Sequence, residues 1–202
     1  MEQLPSLLLC AVIGYLLGSV SAGILYSHLL GSDIRRHGSK NPGASNMLRI
    51  YGMNAGTITF IFDCAKAIGA VLLGRLIAGQ NGAMAAGFFA IIGHNWPLYF
   101  GFKGGKGILS GGTIIIMIDW RVALVGWGGF VLLFLLTRYV SLGSSSTGID
   151  LPIVTWFVYR DWVLLVLICI MGGLILWKHR SNIARLISGT ESKFSFHRKA
   201  AG

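Results

Sequence analysis

Long apolar runs dominate this chain and constrain its fold more than any other feature. The first extends from Leu4 to Leu30, and as a helix about 40 Å long it would cross a bilayer with tilt. Six further runs follow, at about 53–78, 82–100, 107–118, 121–137, 149–159 and 162–177. The sequence therefore predicts an all-α fold, a polytopic bundle of transmembrane helices.

The number of membrane crossings depends on two short runs. The fourth and sixth runs have only about 11–12 residues, too few to cross about 30 Å of hydrocarbon unaided. Either neighbouring residues extend them, or they are half-helices buried within the bundle. We predict seven membrane helices, some of them short, with five as the alternative.

Composition favours one integral membrane domain covering residues 1–202. Charged residues make up 12% of the chain, whereas a soluble domain would carry about 25%. No basic residue precedes the first run, as a cleaved signal peptide would require, so this run is expected to remain as a span. Cys10, Cys64 and Cys169 lie in apolar runs without metal-binding spacing, so neither a disulfide framework nor a metal site is expected.

Basic residues are distributed unevenly between the two sides of such a bundle. With seven spans, only Arg121 and Arg160 fall on one side. The other side receives Arg35, Arg36, Lys40, Arg49, Lys103, Lys106, Arg138, Lys178, Arg180, Arg185, Lys193, Arg198 and Lys199. By the positive-inside rule, the amino terminus faces out and the loops carrying these residues face the cytoplasm.

Two of the predicted cytoplasmic loops combine basic residues with glycines and amides, a composition that suits anion binding. The loop at 33–52 contains a Pro42-Gly43 turn, several Ser and Asn donors and Arg49, which can clamp a phosphate with two N–H groups. The loop at 101–107 places glycines and Lys106 before an apolar run, and backbone N–H groups at a helix amino terminus attract anions. No Ser or Thr follows the lysine, so this is not a nucleotide-binding P-loop.

A third basic segment, 178–191, follows the last apolar run. His179, Asn182 and Arg185 recur at three-residue spacing, which places them on one helical face. All three segments have an alternative interpretation, in which they only contact anionic lipid head groups. Lipid contact would require Lys and Arg, but not this density of Gly, Asn and Ser.

A few polar residues lie inside or at the ends of the apolar runs. Asp63 and Lys66 are three residues apart in the second run, and such charges normally face the bundle interior, as an ion pair or at the border of a site. His94 near a helix end is either structural or part of the site. His28 and Asp33 match the H-x4-D spacing of coenzyme A-dependent glycerolipid acyltransferases, but two residues at one spacing often match by chance.

The three segments together resemble the signatures of a bacterial membrane-enzyme family, the acyl-phosphate:glycerol-3-phosphate acyltransferases (PlsY family). The first signature corresponds to Gly38-Ser39-Lys40-Asn41-Pro42-Gly43-Ala44-Ser45-Asn46 with Arg49, the second to 100–107, and the third to His179-Arg180-Ser181-Asn182-Ile183 with Arg185, Gly189 and Glu191. The resemblance runs nearly end to end. The chain departs from the family at Ile108-Leu109-Ser110 and at Ala67, and neither change removes a charged or amide group.

The resemblance implies an enzyme that catalyses the first acylation step of phospholipid synthesis. The 1-hydroxyl of glycerol 3-phosphate attacks the carbonyl of a fatty acyl phosphate, and lysophosphatidic acid and inorganic phosphate are released. It also implies the bacterial inner membrane as location, with the site formed by the Gly-rich cytoplasmic loops. We expect no cofactor, metal or nucleic-acid partner, and the oligomeric state is left open.

The candidate site residues divide into two groups. Catalytic roles are expected for Ser39, Arg49, Lys106, His179 and Asn182. Substrate binding is expected for Asn41, Gly43, Ser45, Asn46, Gly104, Gly105, Gly107, Arg185 and Glu191. Either His179 or a phosphate oxygen of the acyl donor accepts the hydroxyl proton, and the donor oxygen is favoured.

Overall fold

The computed structural model describes residues 3–194, and within this range the chain is helical with no strand. Arg198 and Lys199, counted above among the basic residues, lie outside this range. Eight helices occur in it: α1 (Leu4–Ser19), α2 (Ala22–Leu29), α3 (Ala44–Tyr51), α4 (Met53–Asn95), α5 (Ile108–Ile118), α6 (Trp120–Thr137), α7 (Val140–Tyr159) and α8 (Trp162–Ile187). Short 3-10 turns lie at Ile34–Arg36, within the first basic loop, and at Leu98–Phe100, directly before the second. The predicted all-α fold is confirmed.

Every predicted apolar run is mainly helical, and one interruption differs from the prediction. The first run is divided into α1 and α2, because Val20 and Ser21 adopt extended backbone angles. The second and third runs form the two parts of α4, and Ala78 and Gly79 leave helical geometry between them, where the gap between the two runs predicts a break. Hydropathy therefore marks the break in α4 but not the one at Val20 and Ser21.

The two short runs behave differently from each other. The sixth extends back to Val140 and forms the 20-residue α7, because Gly, Ser and Thr residues that lower its hydropathy are still helical. The fourth remains short, as the 11-residue α5. Within residues 3–194, three helical stretches are long and apolar enough to cross a membrane by length and composition, namely Leu4–Leu29, Trp120–Thr137 and Trp162–Ile187.

The chain divides into two compact units, Met1–Ile118 and Asp119–Gly202. In the first unit, α1 lies directly along the second half of α4. A Cβ added at Gly14 or Gly18 would lie 2.1 Å from the carbonyl oxygen of Ala86 or Ala90. Gly14 and Gly18, small residues at four-residue spacing, therefore form a helix contact in which the two backbones touch.

The second unit consists of α6, α7 and α8. Helices α7 and α8 approach closely where a Cβ on Gly172 would lie 2.3 Å from the Gly148 carbonyl oxygen. The start of α6 and the end of α7 are tied at Asp119, which accepts hydrogen bonds from Arg121 and from the Tyr159 hydroxyl. The Arg121 guanidinium holds the pKa of the Asp119 carboxyl far below its usual value.

Candidate active site

The first basic loop is folded around one buried amide, that of Asn46. Its Oδ1 accepts the Ser39 N–H at 3.0 Å, and its Nδ2 donates to the His37 carbonyl at 3.0 Å. Gly38 has a φ of 55°, and a Cβ there would lie 2.4 Å from the same Oδ1. The amide of Asn46, for which substrate binding is predicted, therefore anchors the loop.

The loop leads directly into α3, whose first turn follows Gly43. This turn carries Ser45 at an exposed position, while Asn41 and Ser39 are half-buried. Arg49 lies exposed in the last turn of α3, and it forms no ion pair with any carboxylate among residues 3–194. The predicted polar donors of this loop are therefore displayed around one short helix.

The second basic loop folds back against the end of α4. The chain reverses through Gly101 and Phe102, both with left-handed φ angles, and then runs to α5, which begins at Ile108. The prediction that a glycine-rich loop opens onto a helix amino terminus is confirmed. Gly105 and Gly107 are buried, whereas Lys106 between them is half-buried.

Three N–H groups of this loop are already paired within the protein. Phe102 donates to the Pro97 carbonyl at 3.0 Å, Gly104 to the Asn95 carbonyl at 3.3 Å and Gly105 to the His94 carbonyl at 3.0 Å. The N–H groups of Gly104 and Gly105 therefore hold the loop against the end of α4. Neither tolerates a side chain, since a Cβ would lie 2.1 Å from an atom of His94 in both cases.

Arg35 joins the two loops, a role that the sequence analysis did not identify. Its Nη1 donates to the carbonyls of Phe100 at 2.8 Å and Lys103 at 3.1 Å. Its Nε and Nη2 donate to the Asp33 carboxylate at 2.9–3.1 Å, and this pairing lowers the pKa of Asp33 to about 2. The Asp-x-Arg spacing signals such a pairing, but its target 65 residues away is not visible in sequence.

The contacts of the Asp33 carboxylate also bear on whether His28 and Asp33 form the H-x4-D pair of coenzyme A-dependent acyltransferases. The Nε2 atom of His28 lies 3.9 Å from an Asp33 oxygen, beyond hydrogen-bond distance. Asp33 is instead engaged by the Arg35 guanidinium through both oxygens. The geometry therefore favours a structural role for Asp33 in the loop.

A buried polar cluster lies beneath the second loop. Lys66 Nζ lies 2.7 Å from the Asp63 carboxylate and 2.9 Å from His94 Nδ1, and it also donates to the Val20 carbonyl at 2.8 Å. Asp63 and His94 are only 3% and 7% exposed. The structure thus brings the two charges of the second apolar run into one network with His94.

The third basic segment is the end of α8 in the second unit. His179 and Asn182 are buried there, and His179 Nδ1 lies 2.9 Å from the Ile175 carbonyl oxygen. Glu191 accepts from Asn182 Nδ2 at 2.7 Å and from Arg185 Nε at 2.6 Å. Glu191 therefore orients both side chains by folding back onto the helix.

The charge state of Glu191 follows from these contacts. Burial alone would raise the pKa of its carboxyl, but hydrogen bonds from Asn182 and Arg185 outweigh burial, and the pKa falls below its usual value. The carboxylate is therefore ionised at neutral pH. Among residues 3–194, no group of three or more His, Cys, Asp or Glu side chains is arranged to hold a metal ion.

Comparisons with known proteins show which family the chain resembles. The family model described as glycerol-3-phosphate acyltransferase matches residues 8–189. The enzymes of that name from Thermosynechococcus vestitus and Brucella ovis are 36% and 40% identical to the chain over 197 and 183 residues, covering 92% and 90% of it and 93% and 90% of their own lengths.

Solved structures give the same result. The crystal structure of PlsY (YgiH), an integral membrane glycerol 3-phosphate acyltransferase, in its glycerol 3-phosphate form matches with a TM-score of 0.86 and 33% identity. The match covers 94% of this chain and 96% of that one. The lysophosphatidic acid form matches with a TM-score of 0.82. The chain therefore belongs to the glycerol-3-phosphate acyltransferase family.

Proposed function

We propose that the chain transfers a fatty acyl group from an acyl phosphate to the 1-hydroxyl of glycerol 3-phosphate, releasing lysophosphatidic acid and inorganic phosphate. The observation that carries the proposal is the Arg35 bridge, which fixes the loop of Arg49 against the loop of Lys106. Two cationic, donor-rich loops held together can gather two phosphates. The acyltransferase activity itself agrees with the family and with both solved forms of PlsY.

An acyl phosphate suits such a site as the donor. It is a mixed anhydride with a good leaving group, so the protein mainly has to hold two mutually repelling anions in attack geometry. Positioning of this kind is worth up to about 7–11 kcal/mol in well-aligned systems. Exposed Arg49 and half-buried Lys106 supply charge that stabilises both the ground-state phosphates and the departing one.

The candidate residues are assigned to the two substrates as follows. The phosphoryl group of the acyl donor binds the loop around Ser39, Asn41, Gly43 and Ser45. Glycerol 3-phosphate binds Arg49 and Lys106, and the two assignments can be exchanged. His179 and Asn182 keep the catalytic roles that the sequence predicts. Gly104, Gly105 and Gly107 shape the lysine loop, while Asn46, Arg185 and Glu191 position their neighbours.

The hydroxyl proton passes to a phosphate oxygen of the donor in this scheme. His179 is the competing acceptor, because its Nδ1 faces the Ile175 carbonyl, which only accepts hydrogen bonds. Nδ1 therefore carries the proton of the neutral ring, and Nε2 retains a lone pair. Loss of both the rate and the acidic limb of the pH–rate profile in His179→Ala would assign the proton to His179 instead.

The reaction is proposed to occur at the cytoplasmic face of the inner membrane. The uneven distribution of Lys and Arg between the predicted sides supports this orientation. Single cysteines at Lys40, Lys103 and Arg180 in a cysteine-free background should all react with a membrane-impermeant maleimide only after the membrane is opened. Labelling of any of the three from outside would contradict the proposed sidedness.

A single assay tests the reaction. Purified protein is mixed with palmitoyl phosphate and glycerol 3-phosphate, without coenzyme A or metal, and phosphate and lysophosphatidic acid are measured. Lys106→Ala and Arg49→Ala should each reduce turnover at least tenfold, while Asn54→Ala, at an exposed position of α4, should not. Activity only with acyl coenzyme A would refute the donor and direct attention to His28.

A further inference from the structure

The Gly-rich loop of the first unit is seated directly on the side chain of His94. A Cβ built on Gly105 would lie 2.1 Å from His94 Nε2 and within 3.0 Å of two ring carbons. The Gly105 backbone therefore packs directly against the His94 imidazole. It is 7% exposed, so its position is determined by the protein and not by solvent.

The ring is held from the opposite side by two buried charges. Lys66 Nζ lies 2.9 Å from Nδ1, and Asp63 Oδ1 lies 2.7 Å from Lys66 and 3.6 Å from Nδ1. An ammonium group only donates, so Nδ1 accepts and the proton of the neutral ring is on Nε2. The nitrogen that faces Gly105 is therefore the one carrying the proton.

Lys106 is fixed on both flanks by consecutive residues of α4. On one side, Gly105 rests on His94 and donates to its carbonyl. On the other, Gly107 has a φ of 76°, and a Cβ there would lie 3.1 Å from Asn95 Oδ1. The direction of the Lys106 side chain therefore depends on where this end of α4 holds the two glycines.

We propose that His94, oriented by Lys66 and Asp63, is a positioning residue that sets the geometry of Lys106 for acyl transfer. The proposal rests on the proposed function, which assigns Lys106 to a substrate phosphate. His94 does not act on the substrate itself. It works through the backbone of Gly105, in the way that outer residues orient a catalytic group they do not replace.

A double-variant cycle separates this contact from general packing. Gly105→Ala should reduce kcat/KM at least tenfold, because its methyl group meets the His94 ring. His94→Ala removes the ring, and the double variant should recover at least threefold over Gly105→Ala. Gly104→Ala is the matched control, since its methyl group meets the His94 carbonyl oxygen and Pro97, neither of which His94→Ala removes.

Rates are measured per folded protein, on the monodisperse fraction of each variant, and thermal midpoints are recorded. His94→Gln, which keeps an N–H close to Nε2, should retain at least five times the kcat/KM of His94→Ala at a similar midpoint. No recovery in the Gly105 double variant, or equal recovery with Gly104→Ala, would refute the proposal. If His94→Ala does not fold, His94→Leu takes its place, and equal kcat/KM in His94→Leu and His94→Gln would refute the proposal.

The activity of the wild-type protein distinguishes a failure of the proposed function from a failure of the role proposed for His94. If wild-type protein fails to acylate glycerol 3-phosphate from palmitoyl phosphate, the proposed function fails. If wild type is active and the cycle is additive, only the role of His94 fails.

Discussion

The buried amide of Asn46 gives the sharpest prediction. Its two hydrogen bonds connect the Ser39 N–H and the His37 carbonyl across the loop, and the residue is 1% exposed. Each bond is worth about 1 kcal/mol net, so Asn46→Ala should loosen the loop by about 2 kcal/mol. If turnover requires the ordered loop, kcat/KM should fall by up to about 30-fold, at 1.36 kcal/mol for each factor of ten.

Two further variants make this argument specific. Asn46→Asp keeps the acceptor for Ser39 but replaces the donor with an oxygen that faces the His37 carbonyl oxygen, so it should be at least as harmful as Asn46→Ala. Asn54→Ala removes an exposed asparagine nearby and should change neither rate nor midpoint. Initial rates of phosphate release and thermal midpoints in detergent are measured together. A kcat/KM within twofold of wild type in Asn46→Ala would refute the view that this amide orders the loop.

Three other predictions follow from contacts described above. Arg35→Ala should reduce turnover about tenfold or more, because charged hydrogen bonds of about 1.5–3 kcal/mol hold the two loops together. Arg35→Lys should not restore turnover, and full activity in the alanine variant would contradict the bridge. Because folding depresses the pKa of Glu191 below 4.5, its contribution to stability is present above that pH and is lost as the pH falls further. The midpoints of wild type and Glu191→Gln should therefore differ at pH 7 and converge at acidic pH. Gly14→Ala should abolish stable folding, since its Cβ would meet the Ala86 carbonyl oxygen at 2.1 Å. Gly69→Ala, whose Cβ would have nothing within 4 Å, should stabilise the protein by up to about 1 kcal/mol. Equal expression and equal thermal midpoints for the two variants would refute the packing argument.

The helical fold could be predicted because hydropathy is a property of local sequence. Runs of apolar residues located every helix except α3, which lies in the first basic loop, and the lowered hydropathy of α7 misled only about where it begins. The gap between the second and third runs matches the break at Gly79, whereas the break at Val20 was not predicted. The break at Val20 depends on what packs against the chain, and this information is not local.

The composition of the candidate site could be predicted from the sequence, but the roles of its individual residues were harder to predict. Basic, amide-rich loops indicated anion binding, whereas the hydrogen bonds of Asn46 and Glu191 to other protein groups were not predicted. Arg35 was read only as a charge that sets orientation, although it bridges two loops. Hydrogen-bond partners 60 or more residues away cannot be read from spacing, so anchors and ligands of the same type look alike in sequence.

The interruption between α1 and α2 has a consequence for membrane biogenesis. An intact helix would use the Val20 carbonyl internally, but the break leaves it to accept the Lys66 ammonium. A segment carrying a lysine enters lipid more easily when its charge already has a partner. Because the chain emerges from its amino terminus, the stretch formed by α1 and α2 is synthesised first, and its Val20 carbonyl is available to the Lys66 ammonium when α4 follows.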